Sequence, residues 1–74
     1  MEQSFFSGRL RELRIARGLT QPALAKELGL LKQRVNNWEL GIALPPLEMA
    51  ISLADYFDVS LDYLAGRSDD PARR

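Results

Sequence analysis

Two short apolar stripes separated by a glycine constrain this chain more than any other feature. In residues 21–40, QPALAKELGLLKQRVNNWEL, the helical period puts Leu24, Ala25 and Leu28 on one face and Leu31, Val35 and Trp38 on a second, with Gly29 between them. The spacing predicts two short helices joined by a tight turn. Ala25 falls where the helices cross most closely, where a larger side chain would push them apart. Gly29 falls where the chain reverses, and without a Cβ it takes a positive φ at no steric cost.

The flanking residues supply further helices. Ser7 is a plausible N-cap for a first helix over 7–17, with Phe6, Leu10 and Leu13 inward, Gly18 past its end, and Arg9, Arg11 and Arg17 facing water. Ile15 lies off the stripe. Thr20 suits the N-cap of the second helix, because Pro22 at its second position gives up an N–H that would have no intrahelical partner. The third helix is expected over 32–39, turning Gln33, Asn36 and Asn37 away from Val35 and Trp38, with Lys32 and Arg34 beside them. A fourth should run from residue 46 or 47 to 57, burying Leu47, Ala50, Ile51, Ala54 and Phe57. Ser60 should cap a short fifth helix, with Val59 and Leu64 as a hydrophobic staple and Gly66 at its end. The fold class is therefore all-α, a compact five-helix bundle over residues 1–66, followed by a polar, disordered tail over 67–74.

At 74 residues a chain of this kind forms one domain and buries only about 60% of its unfolded surface, which leaves no room for a deep catalytic cleft. It contains no histidine and no cysteine, no G-x-x-x-x-G-K loop, and carboxylates scattered over separate helices. An enzyme is not expected, and no cofactor, metal or small-molecule ligand is implied. The amino terminus has no basic, apolar leader pattern, and no run of about 18 apolar residues occurs, so neither export nor membrane spanning is expected.

The net charge is zero but unevenly placed: residues 1–41 hold seven basic and four acidic side chains, a balance of +3, and residues 42–74 hold three and six, a balance of −3. Such a dipole turns its basic end toward a polyanion.

The same residues carry a resemblance. Gln21, Leu24, Ala25, Gly29, Val35, Trp38, Glu39 and Gly41 stand in the order of the helix-turn-helix of the phage repressor and Cro (XRE-like) DNA-binding domains, and the likeness runs from about Phe6 to Gly66. It implies a lambda-repressor-like domain with the helix-turn-helix at helices 2 and 3, and a cytoplasmic, nucleoid-associated transcriptional regulator, most often a repressor. The third helix would then enter the major groove of double-stranded DNA. Base contacts would fall to Gln33 and Asn37 first, then Lys32 and Asn36; phosphate contacts would fall to Gln21, Arg11, Arg17, Lys26 and Arg34. The resemblance also implies that Gln21 buttresses the third helix, that Arg14 and Glu39 form a structural ion pair, and that a homodimer meets a pseudo-palindromic operator.

The chain departs from the family at Leu31 and in the loop over 42–44. Leu31 replaces the usual Ser or Thr cap, a loss of about 1 kcal/mol that inward packing of the leucine would offset. Ile42, Ala43 and Leu44 replace basic loop residues, so fewer phosphate contacts and a shallower salt dependence are expected. Neutral charge and that apolar loop favour an alternative on the same fold, a protein-interaction module such as an anti-repressor or antitoxin subunit.

Overall fold

The computed structural model describes residues 3–73, with side chains from residue 5 onward. Residues 1 and 2 of the expected domain and residue 74 of the expected tail lie outside the described set. The elements are α1 (Gln3–Ala16), α2 (Gln21–Leu28), α3 (Lys32–Glu39), α4 (Leu47–Phe57) and α5 (Leu61–Leu64), with no strand among the described residues. Phe6, Leu10, Leu24, Ala25, Val35, Trp38, Leu53, Ala54, Phe57, Val59 and Leu64 meet in a single core.

Where local chemistry decides, the helices begin and end as the sequence predicts. Thr20 Oγ1 accepts the Ala23 N–H at 3.2 Å, and Gly29 closes α2 at φ +69°. The next amide, Leu30 N–H, donates to Ala25 C=O at 2.8 Å, which turns the chain directly into α3. Ser60 Oγ accepts the Tyr63 N–H at 3.0 Å, and Val59 and Leu64 are buried on either side of that cap.

Four expectations change where distant contacts decide. First, α1 starts at Gln3, not Ser7. Ser7 is no cap but a buried helical residue whose Oγ donates to Trp38 C=O at 2.8 Å. Phe6 is completely buried and lies inside the helix, one residue upstream of Ser7. Second, Leu31 is 77% exposed, and Leu30 packs against the core instead. Leu31 is the N-cap residue with extended backbone (φ −80°, ψ 143°), so the helical phase that placed it inward does not apply to it, and the missing cap is not offset by packing.

Third, α4 buries Ala50, Leu53, Ala54 and Phe57, while Leu47 and Ile51 are exposed. At about 100° per residue the buried face is turned toward Leu53, roughly 50° from the expected stripe. The helix is apolar on most of its circumference, so periodicity alone left that rotation free. Fourth, residues 67–73, expected as a disordered tail, fold back onto the body. Pro71 C=O accepts the Ser60 N–H at 3.0 Å, and Arg73 reaches Ala54 C=O at 3.3 Å and pairs with Asp55 at the end of α4. Arg9, expected in water, donates to Tyr63 C=O at 2.6 Å and to Ser68 C=O, pairs with Asp69 at 2.8 Å and lies 4.1 Å from the centre of the Tyr63 ring. The Arg9 guanidinium thus joins the Tyr63 carbonyl, which also accepts the Gly66 N–H at 3.1 Å, to the Ser68 carbonyl of the tail.

Candidate nucleic-acid interface

Val35 and Trp38 anchor α3 in the core, so its opposite side must face out. Lys32, Gln33 and Arg34 are exposed there, and Asn36 and Asn37 are half-buried. Gln33 Nε2 donates to Asn37 Oδ1 at 2.9 Å, joining the two leading base-contact candidates across one turn. Arg34 lies 5.5 Å from the centre of the Trp38 ring, at the edge of the face. Lys32 extends without a bonded partner among the described residues.

The carboxyl end of α3 is held by two other helices. Arg14 of α1 meets Glu39 in a bidentate pair, Nε to Oε2 at 2.7 Å and Nη2 to Oε1 at 3.0 Å, and its Nη1 donates to Leu19 C=O at 2.7 Å. Gln21, the first residue of α2, donates from Nε2 to Glu39 Oε1 at 3.2 Å. The Arg14 and Glu39 side chains are only 13% and 4% exposed. The hydrogen bond to Glu39 holds the Arg14 pKa above the ordinary arginine value, against the opposing effect of burial and with the help of the Glu39 charge. Ser7 adds the bond to Trp38 C=O, so α1 grips the last turn of α3 through both main chain and side chain.

The structure thus brings Gln33 to Asn37, and Gln21 to Arg14 and Glu39. It does not gather every basic candidate. Arg17 stands 5.6 and 5.5 Å from the Tyr56 and Phe57 ring centres, beside α4. Arg11 and Lys26 are exposed on α1 and α2. Leu24, Ala25, Leu28 and Gly29 form the packed elbow behind the face, Leu24 and Ala25 fully within it. Ser7 is the positioning residue that sequence reading missed. Its signal was the face it shares with Leu10 and Arg14 on α1, outweighed by the preference of serine for caps.

A cavity of about 430 Å³ lies between α4, α5 and the tail and is lined by Ile51, Val59, Leu61 and Arg73 among others, with no residue of α3. Among the described residues, no three His, Cys, Asp or Glu side chains cluster as metal ligands, and no helix is long and apolar enough to cross a membrane.

The sequence pattern of the family described as Helix-turn-helix matches residues 10–64. The uncharacterized HTH-type transcriptional regulator YobD of Bacillus subtilis (strain 168) is 43% identical over 63 residues, which is 85% of this chain and 56% of that protein. The cryptic phage CTXphi transcriptional repressor RstR of Vibrio cholerae is 36% identical over 59 residues, 80% of this chain and 53% of its own. The chain thus spans little more than half the length of these regulators. The solution structure of the SOS-response transcriptional repressor LexA from Eubacterium rectale matches with a TM-score of 0.80 at 33% identity, covering 85% of this chain and 67% of that one.

Proposed function

The chain belongs to the repressor/Cro-like helix-turn-helix family, and from that premise we propose that it binds double-stranded DNA at a specific sequence and represses transcription. The family is one of transcriptional regulators, not of enzymes. The observation that carries the reading is the outward face of α3, lined with amides and cations and locked from behind by the Arg14–Glu39–Gln21 network. A recognition element must be rigid relative to its scaffold if base contacts are to discriminate, and that network supplies the rigidity.

In this reading α3 lies in the major groove. Gln33, Asn37, Lys32 and Asn36 face base edges, and amides suit adenine N6 and N7. Gln21 at the start of α2, with Arg11, Arg17, Lys26 and Arg34, meets phosphates, which set register and affinity and not base choice. Arg17 contributes least, since it already rests against Tyr56 and Phe57. The protein acts in the cytoplasm on the nucleoid, as a two-fold homodimer on a pseudo-palindromic site. RstR and LexA, both named as repressors, support the sign of regulation.

A second reading, the protein-interaction module, is favoured by exposed Leu40, Ile42 and Leu47. Selection from random double-stranded DNA followed by a salt titration separates the two. Base readout predicts an enriched palindrome whose affinity falls on Gln33→Ala or Asn37→Ala, with a salt slope corresponding to few phosphates. Absence of any enriched site would leave the interaction module.

A further inference from the structure

Gln33 and Asn37 stand one turn apart on α3, and Gln33 Nε2 donates to Asn37 Oδ1 at 2.9 Å. Resting on the DNA-binding reading above, we propose that these two side chains read the operator as one coupled unit. Asn37 holds the Gln33 amide ready for adenine, and itself offers N–H donors to an adjoining guanine or thymine.

The assignment follows from counting donors and acceptors. A primary amide has two N–H groups and one oxygen with two lone pairs. Gln33 gives one N–H to Asn37 and keeps the other together with Oε1. One donor and one acceptor on the same amide match the N7 acceptor and N6 amino group of adenine in the major groove. Asn37 has committed a lone pair and keeps both N–H groups. Its free capacity is therefore mainly donor, which suits N7 and O6 of guanine or O4 of thymine and discriminates against the amino group of cytosine.

The coupling also acts on mobility. Gln33 is exposed, and a glutamine free in water samples many rotamers that must be frozen when DNA arrives. A hydrogen bond between residues four apart restricts that freedom beforehand. Arg34 lies beside the Trp38 ring, 5.5 Å from its centre. Two independent amides would behave differently: each would suit adenine, and losing one would leave the preference of the other intact.

The test is selection from random double-stranded DNA with the full chain and its Gln33→Ala, Asn37→Ala, Asn37→Asp and doubly alanine-substituted variants, with affinities measured on the wild-type site. Wild type should enrich adenine beside guanine or thymine. Asn37→Ala should lose both preferences. Asn37→Asp keeps an acceptor for Gln33 but has no donor, so it should retain adenine and move the neighbouring preference to cytosine. Each alanine variant should bind the wild-type site roughly 5- to 150-fold more weakly, and the double variant little worse than the weaker single one.

Adenine retained in Asn37→Ala, or losses that multiply in the double variant, would overturn the coupling while leaving DNA binding in place. A wild-type chain that enriches no site would overturn the DNA reading and the coupling with it. Neither side chain belongs to the core, and thermal melts that match wild type verify that each variant is folded.

Discussion

Arg14 and Arg73 each bind a carboxylate and a main-chain carbonyl, one where α1, α2 and α3 meet, the other where the tail meets α4. The chemistry is the same and the surroundings are not. Arg14 and Glu39 are 13% and 4% exposed, Arg73 and Asp55 43% and 58%. A buried carboxylate has no water to turn to when its partner is removed, whereas an exposed one is resolvated at once. The difference teaches where the molecule needs fixed geometry. The pair that sets the pose of α3 is sequestered and given a third member, Gln21; the pair that fastens the tail is left in solvent.

The strongest way to break this contrast is Arg14→Ala. It leaves Glu39 buried with only the Gln21 amide, a change that costs ~3 to 5 kcal/mol when one partner of a buried pair is lost. Each kcal/mol lowers Tm by about 4 to 8 °C in a domain of this size. Urea or thermal denaturation measures it, and a loss no larger than that of Arg73→Ala would erase the distinction. A pH titration adds a second arm. Because the folded pKa of Arg14 is raised, the stability it contributes is fully present below the ordinary arginine value and fades only as pH rises through the raised one. The arginine side of this junction should therefore show no transition in the neutral range.

The same contrast explains what the sequence disclosed. Thr20, Gly29 and Ser60 were legible because caps and turns are decided within a few residues, by a hydroxyl in reach of an amide or a residue free to take positive φ. Ser7 was misjudged because its partner, Trp38 C=O, is 31 positions away. Arg9 was misjudged for the same reason, its partners lying 54 to 60 positions on. Leu47 and Ile51 show another limit: in an almost uniformly apolar helix, neighbours choose the buried face. At the site, the outward face of α3 could be read from period alone, whereas the Arg14–Glu39 pair was foreseen only through family resemblance. The direction of the Gln33–Asn37 hydrogen bond was not foreseen at all.

Gly66→Ala comes next in size and tests whether the carboxyl-terminal half is fastened by packing instead of charge. Gly66 ends α5 at φ +81°, and a Cβ there would sit 2.7 Å from Phe5 Cγ on α1. The left-handed backbone costs a non-glycine roughly 1–2 kcal/mol, and the overlap adds ~1 to 3 kcal/mol. A Tm within a degree of wild type would mean that α1 and α5 do not meet this closely. Gln21→Ala should cost less, about 1 kcal/mol for one hydrogen bond, because Arg14 still satisfies Glu39. Under the DNA-binding reading proposed above, its larger effect should fall on DNA affinity, since the first turn of α2 would lose both the amide proposed to meet phosphate and the bond that braces α3.

Arg73→Ala should have the smallest effect, and for that reason it sharpens the comparison most. Both partners are about half exposed, so solvent screening reduces the pair to the range of surface ion pairs, about 0 to 1 kcal/mol. Asp58, 3.9 Å from the same guanidinium, adds a second weak attraction of the same kind. The difference from wild type should shrink further between 0.1 and 1 M salt, as the Debye length falls from about 10 to 3 Å. Over the same range Arg14→Ala should remain costly, because ions do not reach a carboxylate that is 4% exposed. Parallel urea titrations of the two variants at both salt concentrations measure this directly. Equal salt sensitivity would place Arg14 and Arg73 in one electrostatic environment, and burial would no longer account for why α3 is held and the tail merely tethered.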